Sequence, residues 1–465
     1  MEYTAKIKEY LQSHREEMIK FLGELVSVRS VMDKPSENAP FGAENVRVLE
    51  LMLSRCEKYG FTAENIDNYA GTADTGESEP ALAILCHLDV VPECDGWSSD
   101  PFELRYDENS GRLYGRGTSD DKGPAVAAVF AARAVKELGI PLKSGVRLIF
   151  GTNEENGSAD LQYYLSKKKM PPMVFTPDGS YPVINIEKGM IRLNINGSFD
   201  GSGVIRHLRG GNVINAVPGT AEVDICGISA GTARSLVQVD PEHVSFSFTE
   251  NNGVLHIEAE GSSAHASTPE KGRNALTALL ELIAAMPLPD CAQTRAVRAL
   301  SELYPYGETD GKSCSVDCCD EVSGGLTLVL SMLELSQNGF TAKNDIRFPV
   351  SANGSKIAEK MTDTLSAHGF SAEVLMLDEP HHTDGNSPFV QTLLRVYENV
   401  TGNRGECLAI GGGTYVHHIE GGVAFGAQFP GEDVNMHGAD EFISVESLMK
   451  NAEIMAHTII ELCSC

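Results

Sequence analysis

The stretch "ALAILCHLDVV", residues 81–91, decides the fold. It opens on a short apolar run of the kind covered on both faces, which belongs to a mainly parallel sheet. His87 and Asp89 then stand two residues apart, on the same side of a strand. Downstream, "GPAVAAVFAARAVKELG" (123–139) reads as a small-residue helix ending at Gly139, and "GVRLIFGTNEE" (145–155) as the next strand. Strand, helix and strand in that order predict a parallel sheet with flanking helices.

Toward the N-terminus the pattern predicts a helix over 4–27, with Thr4 as its N-cap, and a second over 43–58 closed by Gly60. After residue 185 the character changes. "VSFSFTENNGVLHIEAEG" (244–261) holds two alternating runs around Asn251-Asn252-Gly253, a hairpin signature. A helix over 274–286, strands in "LTLVLSMLEL" (326–335) and "AKNDIRFPV" (342–350), and a helix over 355–368 follow. From residue 387 the first pattern resumes, with a helix in "SPFVQTLLRVYENVTG", a strand and turn in "GVAFGAQFPG" and a final helix over 444–462. The predicted architecture is an α/β domain, with a mainly parallel sheet and flanking helices, built from 1–185 and 385–465. An α+β lid-like domain over 186–384 interrupts it.

At 465 residues the chain exceeds one ordinary core, and its 42% hydrophobic and 22% charged residues are those of a soluble globular protein. No run approaches the roughly 20 apolar residues of a membrane span. The first 28 residues are polar and amphipathic, without a signal peptide's apolar core, so a cytoplasmic location is the expectation. A net charge of −28 argues against nucleic acid or an anionic membrane as partner. Eleven cysteines, among them the adjacent Cys318 and Cys319 and the terminal Cys463 and Cys465, form no C-x-x-C pair. They read as reduced thiols.

Acidic residues and histidine collect where strands should end. "YGRGTSDDKGP" carries Asp120 and Asp121 between glycines, "FGTNEENGS" carries Glu154 and Glu155, "VFTPDGSYP" carries Asp178, and "VNMHGADE" carries His437. Taken singly, each has an ordinary structural role: a hydrogen-bonded histidine, turn-forming aspartates, a solvated helix start. Yet carboxyl ends of strands in open α/β sheets are ligand sites, and carboxylates converging there repel unless a cation neutralises them. Imidazole and carboxylate together suit zinc, manganese or cobalt better than magnesium.

The segments "HLD", "GRGTSDDKG", "EE", "PDG" and "MHGADE" stand in one order, and in that order the chain resembles the co-catalytic metallopeptidases. That family includes PepV-type dipeptidases, carnosinases, succinyl-diaminopimelate desuccinylases and acetylornithine deacetylases. The resemblance covers nearly the whole chain. It implies a catalytic α/β domain holding two divalent metal ions, zinc first, with manganese or cobalt as alternatives. Asp120 would bridge the ions, His87 and Asp178 would complete one site, and Glu155 and His437 the other. The Asp120-Asp121 peptide would be cis. Glu154 would be the general base, and Asp89 would accept the free ring N–H of His87 and turn its other nitrogen to metal. "SSAHASTPEKGRNA" (262–275) resembles the family's lid motif and would set His265 at the oxyanion. Backbone N–H groups at Gly412, Gly413 and Thr414 in "AIGGGTYVHH" would hold a substrate carboxylate. Asn215 in "NAVPG" and Arg347 in "NDIRFP" match positions that contact substrate in PepV-type enzymes. Histidines 381, 382, 417 and 418 match no ligand motif and read as structural or peripheral. One departure is Cys86, where many relatives have glycine.

The length of the insertion matters for substrate. Deacetylases of this family carry a shorter lid and borrow the oxyanion histidine from a partner, whereas PepV-type enzymes enlarge the lid within one chain. A monomeric dipeptidase taking small dipeptides is therefore the expected function, with an N-acyl-amino-acid deacylase (desuccinylase or deacetylase) as the alternative. A non-catalytic binding protein on this scaffold would have lost ligands, and none is missing.

Overall fold

The computed structural model describes residues 3–464 apart from 77, 202 and 241, so Cys465 lies outside the described residues. Two compact units divide the chain. The first takes in Met1–Ile186, His382–Leu408 and Gly413–Cys465, and the second Glu187–His381 together with Ala409–Gly412.

In the first unit the strand Pro80–His87 pairs in parallel with Gly145–Gly151 on one side and Met173–Thr176 on the other. Its last six residues are buried, as the apolar run requires. The parallel centre is flanked by antiparallel strands, Thr62–Ile66 and Ala70–Thr75 at one side and Val183–Glu187 at the other. The helix Lys122–Glu137 is buried almost throughout, because alanine and valine leave room for close packing, and Val445–Cys463 packs beside it. At the N-terminus a single helix is replaced by two, Thr4–Ser13 and Arg15–Val26. Thr4 is the first helical residue, not the cap, and Tyr3 occupies the cap position without a side-chain bond. The break falls at His14, whose ring Nδ1 lies 2.8 Å from the Tyr10 carbonyl.

The second unit carries an eight-stranded sheet in the order Ser245–Asn251, Val254–Glu260, Thr220–Cys226, Ile205–Gly210, Thr327–Leu335, Gly339–Phe348, Gly189–Ser198 and Ser371–Asp378. Every neighbouring pair in it is antiparallel. The hairpin predicted at Asn251–Gly253 forms, with Asn252 and Gly253 both at positive φ, as a tight two-residue turn demands. Helices Ala275–Ala285, Ala292–Leu303 and Gly354–Ala367 supply the apolar residues that pack on the sheet. Among the described residues no helix is long and apolar enough to cross a membrane.

Candidate active site

Parallel strands run in one direction, so Pro80–His87, Gly145–Gly151 and Met173–Thr176 deliver their carboxyl ends to one edge of the sheet. His87 closes the first, the Glu154–Asn156 turn follows the second, and Asp178 lies two residues past the third. Asp120 arrives from the loop before the helix Lys122–Glu137, and His437 from a C-terminal turn in which its φ is 61°.

These side chains form two groups that share Asp120: His87 with Asp120 and Asp178, and Asp120 with Glu155 and His437. Within each group the ligand atoms lie within 4.8 Å of one another. His87 Nε2 is 2.9 Å from Asp120 Oδ1 and 3.8 Å from Asp178 Oδ2. His437 Nε2 is 2.9 Å from Asp120 Oδ2 and 3.3 Å from Glu155 Oε1. His87 Nε2 and Asp120 Oδ1 are buried and close, yet not aligned as a hydrogen bond. A buried imidazole lone pair and carboxylate oxygens facing one another repel unless a shared cation lies between them, and this donor set fits two divalent ions.

The electrostatics agree. Burial, and then the charge of Asp120, push the Asp178 carboxyl up to about 7. Burial followed by the Asp178 charge raises Glu154 well above its usual range, and burial with Asp120 raises Glu155. Burial opposes the charged form of Asp120, but the hydrogen bond to His437 and the adjacent His87 imidazole hold its carboxyl low. Several carboxylates held in so small a volume bind protons when no cation neutralises them.

The supports come from groups around these side chains. The Asp120-Asp121 peptide is cis, as expected. The buried carboxylate of Asp121 accepts the backbone N–H of His87 at 3.1 Å. Asp89 is buried beside His87, but the atom nearer to His87 Nδ1 is its backbone carbonyl at 3.1 Å, with the carboxylate at 3.5 Å. The carboxylate is instead engaged by the N–H groups of Glu154 and Glu155, at 3.1 and 3.2 Å. The expected carboxylate–imidazole bond thus gives way to two backbone donors that need an acceptor.

Glu441, unremarked in the sequence, is buried and accepts the N–H groups of Gly117, Ser119 and Asp120 and the guanidinium of Arg116. It closes the "MHGADE" segment, and a glutamate there was the one available signal. Lys122 is buried with its ammonium on the carbonyls of Leu25 and Val28, and burial lowers its pKa to about 7. Burial holds the Cys86 thiol neutral, so this departure places no thiolate beside His87.

In the second unit, His265 and Asn215 are brought together: Ala216 and His265 form an antiparallel bridge, and the Ala266 N–H donates to the Asn215 carbonyl at 2.9 Å. His265 is exposed, its Nδ1 2.7 Å from the Ser267 hydroxyl. Arg347 is buried, paired with Asp345 and donating to the Gly411 carbonyl at 2.7 Å. Gly412 belongs to this unit, and Gly413 and Thr414 to the first.

A mixed α/β sheet whose strand ends gather two histidines and two further carboxylates around a shared aspartate defines a metal-dependent hydrolase. Residues 83–461 match the Peptidase family M20/M25/M40, and the chain belongs to that family of metal-dependent peptidases. It is 33% identical over 474 residues to the Beta-Ala-Xaa dipeptidase of Lactobacillus delbrueckii subsp. lactis, with 98% of each chain covered. It is 35% identical over 460 residues to the protein YtjP of Bacillus subtilis (strain 168), covering 96% of this chain and 97% of that one. The structure of human carnosine dipeptidase 1 shares the fold, with a TM-score of 0.63 at 16% identity over 100% of this chain and 99% of the other.

Proposed function

We propose that this peptidase hydrolyses dipeptides, with His87, Asp120 and Asp178 holding one divalent ion, Asp120, Glu155 and His437 a second, and Glu154 acting as general base. The observation that carries the reading is the pair of side-chain groups sharing Asp120, with Glu154 on the turn that also presents Glu155. Zinc is the first choice of metal, and manganese or cobalt suit the same donors. When bound, such ions lower the pKa of water and polarise a carbonyl oxygen. Glu154 takes a proton from the attacking water and returns it to the leaving amine. His265 donates to the oxyanion that develops on the scissile carbonyl. The N–H groups of Gly412, Gly413 and Thr414 hold the substrate's carboxylate, with Asn215 contacting the backbone and Arg347 bracing the neighbouring Gly411 carbonyl. The large second unit within one chain supports a monomeric enzyme.

The assay that tests this takes protein stripped of metal, reconstitutes it with zinc or manganese, and compares dipeptides, β-alanyl ones included, with N-acetyl- and N-succinyl-amino acids. Dipeptide turnover is expected. Turnover of the acylated amino acids alone would establish the deacylase instead. Glu154→Ala abolishes turnover while metal content persists, and activity retained in that variant removes Glu154 as the base.

A further inference from the structure

We propose that Tyr415 and Asp160 form a positioning strut that ties the substrate-carboxylate loop to the turn bearing the general base. The proposal rests on the reading of Gly413 and Thr414 as a carboxylate cradle, and it assigns roles to two residues that touch neither metal nor substrate.

Four successive backbone N–H groups lead into the Glu154–Glu155 pair, and two buried carboxylates accept them. Asp89 takes those of Glu154 and Glu155. Asp160 takes those of Thr152 and Asn153 on a single oxygen, Oδ2, at 2.6 and 2.8 Å. The same Oδ2 accepts the hydroxyl of Tyr415 at 2.5 Å. The other Asp160 oxygen accepts the Leu161 N–H at 2.7 Å, so the carboxylate is held from both ends.

Tyr415 immediately follows Gly413 and Thr414, and its ring is locked. It is 2% exposed, packed in a small core with Leu85, Ile149 and Leu161. The ring also meets the His87 imidazole edge-on at a centroid distance of 6.1 Å. Gly151 completes the arrangement, because a β-carbon there would overlap the Tyr415 hydroxyl and the Asp160 carboxylate. A displacement of the Gly413–Thr414 backbone therefore reaches Asn153, and through it Glu154, by way of one hydroxyl and one carboxylate. A rigidly packed phenol is what such a link needs, since its oxygen follows the backbone that carries it.

Binding of a substrate carboxylate at the loop is then expected to raise kcat and not only to lower KM. The experiment compares a dipeptide with its C-terminal amide in the metal-loaded enzyme and in Tyr415→Phe, which removes only the hydroxyl. The wild-type enzyme should favour the dipeptide in both kcat and KM. In Tyr415→Phe the kcat advantage should shrink by about tenfold, the scale of one hydrogen bond to a charged group, while the KM advantage and metal content persist. Equal kcat advantages in the two proteins overturn the strut and leave the cradle standing. Equal KM for dipeptide and amide in the wild type removes the cradle and the strut with it. Should Tyr415→Phe fail to fold, Asp160→Asn, which keeps the shape, is held to the same comparison. A lowered melting temperature with an unchanged kcat ratio marks a purely structural pair and also refutes the proposal.

Discussion

Asp89 is the residue whose geometry most changes its reading. Sequence spacing makes it a partner for the His87 ring, but in three dimensions its carboxylate serves the backbone of Glu154 and Glu155. It thereby links the end of one strand to the turn after its neighbour, and His87 is oriented mainly by a carbonyl. Removing this carboxylate leaves two N–H groups without their acceptor, each costing about 1–3 kcal/mol if buried. Asp89→Ala should therefore lower kcat by about 10- to 100-fold, with metal content reduced less than activity. Steady-state kinetics beside metal analysis check this, and wild-type kcat would show that the turn holds its shape unaided.

At the scale of elements, Asp120, shared by both side-chain groups, depends on a loop that has little regular structure of its own. Glu441 gathers the N–H groups of Gly117, Ser119 and Asp120 and pairs with Arg116, so the loop is folded around a carboxylate 325 residues away from Arg116. Glu441→Gln should weaken metal binding by about 10- to 100-fold, the range seen when groups behind a ligand are altered. Chelator competition measures it, and kcat at saturating metal should stay close to that of the wild type. On the neighbouring strand, Gly151→Ala places a methyl group against Tyr415 and Asp160. A loss of about 1–3 kcal/mol in unfolding free energy is expected from overpacking, and a denaturation curve matching the wild type would show that Tyr415 can move aside.

The whole molecule should report the acidic cluster through its pH dependence. In metal-free protein the Asp178 carboxyl is raised to about 7 from an ordinary value of 3.8. The folded state then binds more protons than the unfolded state between these values, so this contribution to stability is lost as pH rises through about 7. Asp160, raised to about 6 chiefly by burial, acts in the same direction. Metal binding requires the ionised carboxylates, and its affinity should rise over the same window with release of protons. Melting curves at several pH values, with and without chelator, test both parts. The stabilisation by metal should grow from about pH 5 to about pH 8, and a stabilisation independent of pH would exclude proton competition at the cluster.

The amino-acid sequence by itself determined the buried parallel strand, the position of His87 at its end, the hairpin at Asn251–Gly253 and the set of acids near strand ends. These are local matters, because apolar runs, alternation and turn residues act over a few positions. Where Asp178, Glu155, Asp120 and His437 meet was readable only through the resemblance of ordered motifs, since no local period links residues so far apart. Tertiary structure alone decided the rest. It assigned Ala409–Gly412 to the second unit, put Glu441 behind the Asp120 loop, turned Asp89 toward the Glu154 backbone and joined Tyr415 to Asp160 across 255 residues. The physical reason is common to the last three. A buried N–H or carboxylate must find a partner, and which partner is within reach depends on how the strands are ordered in space.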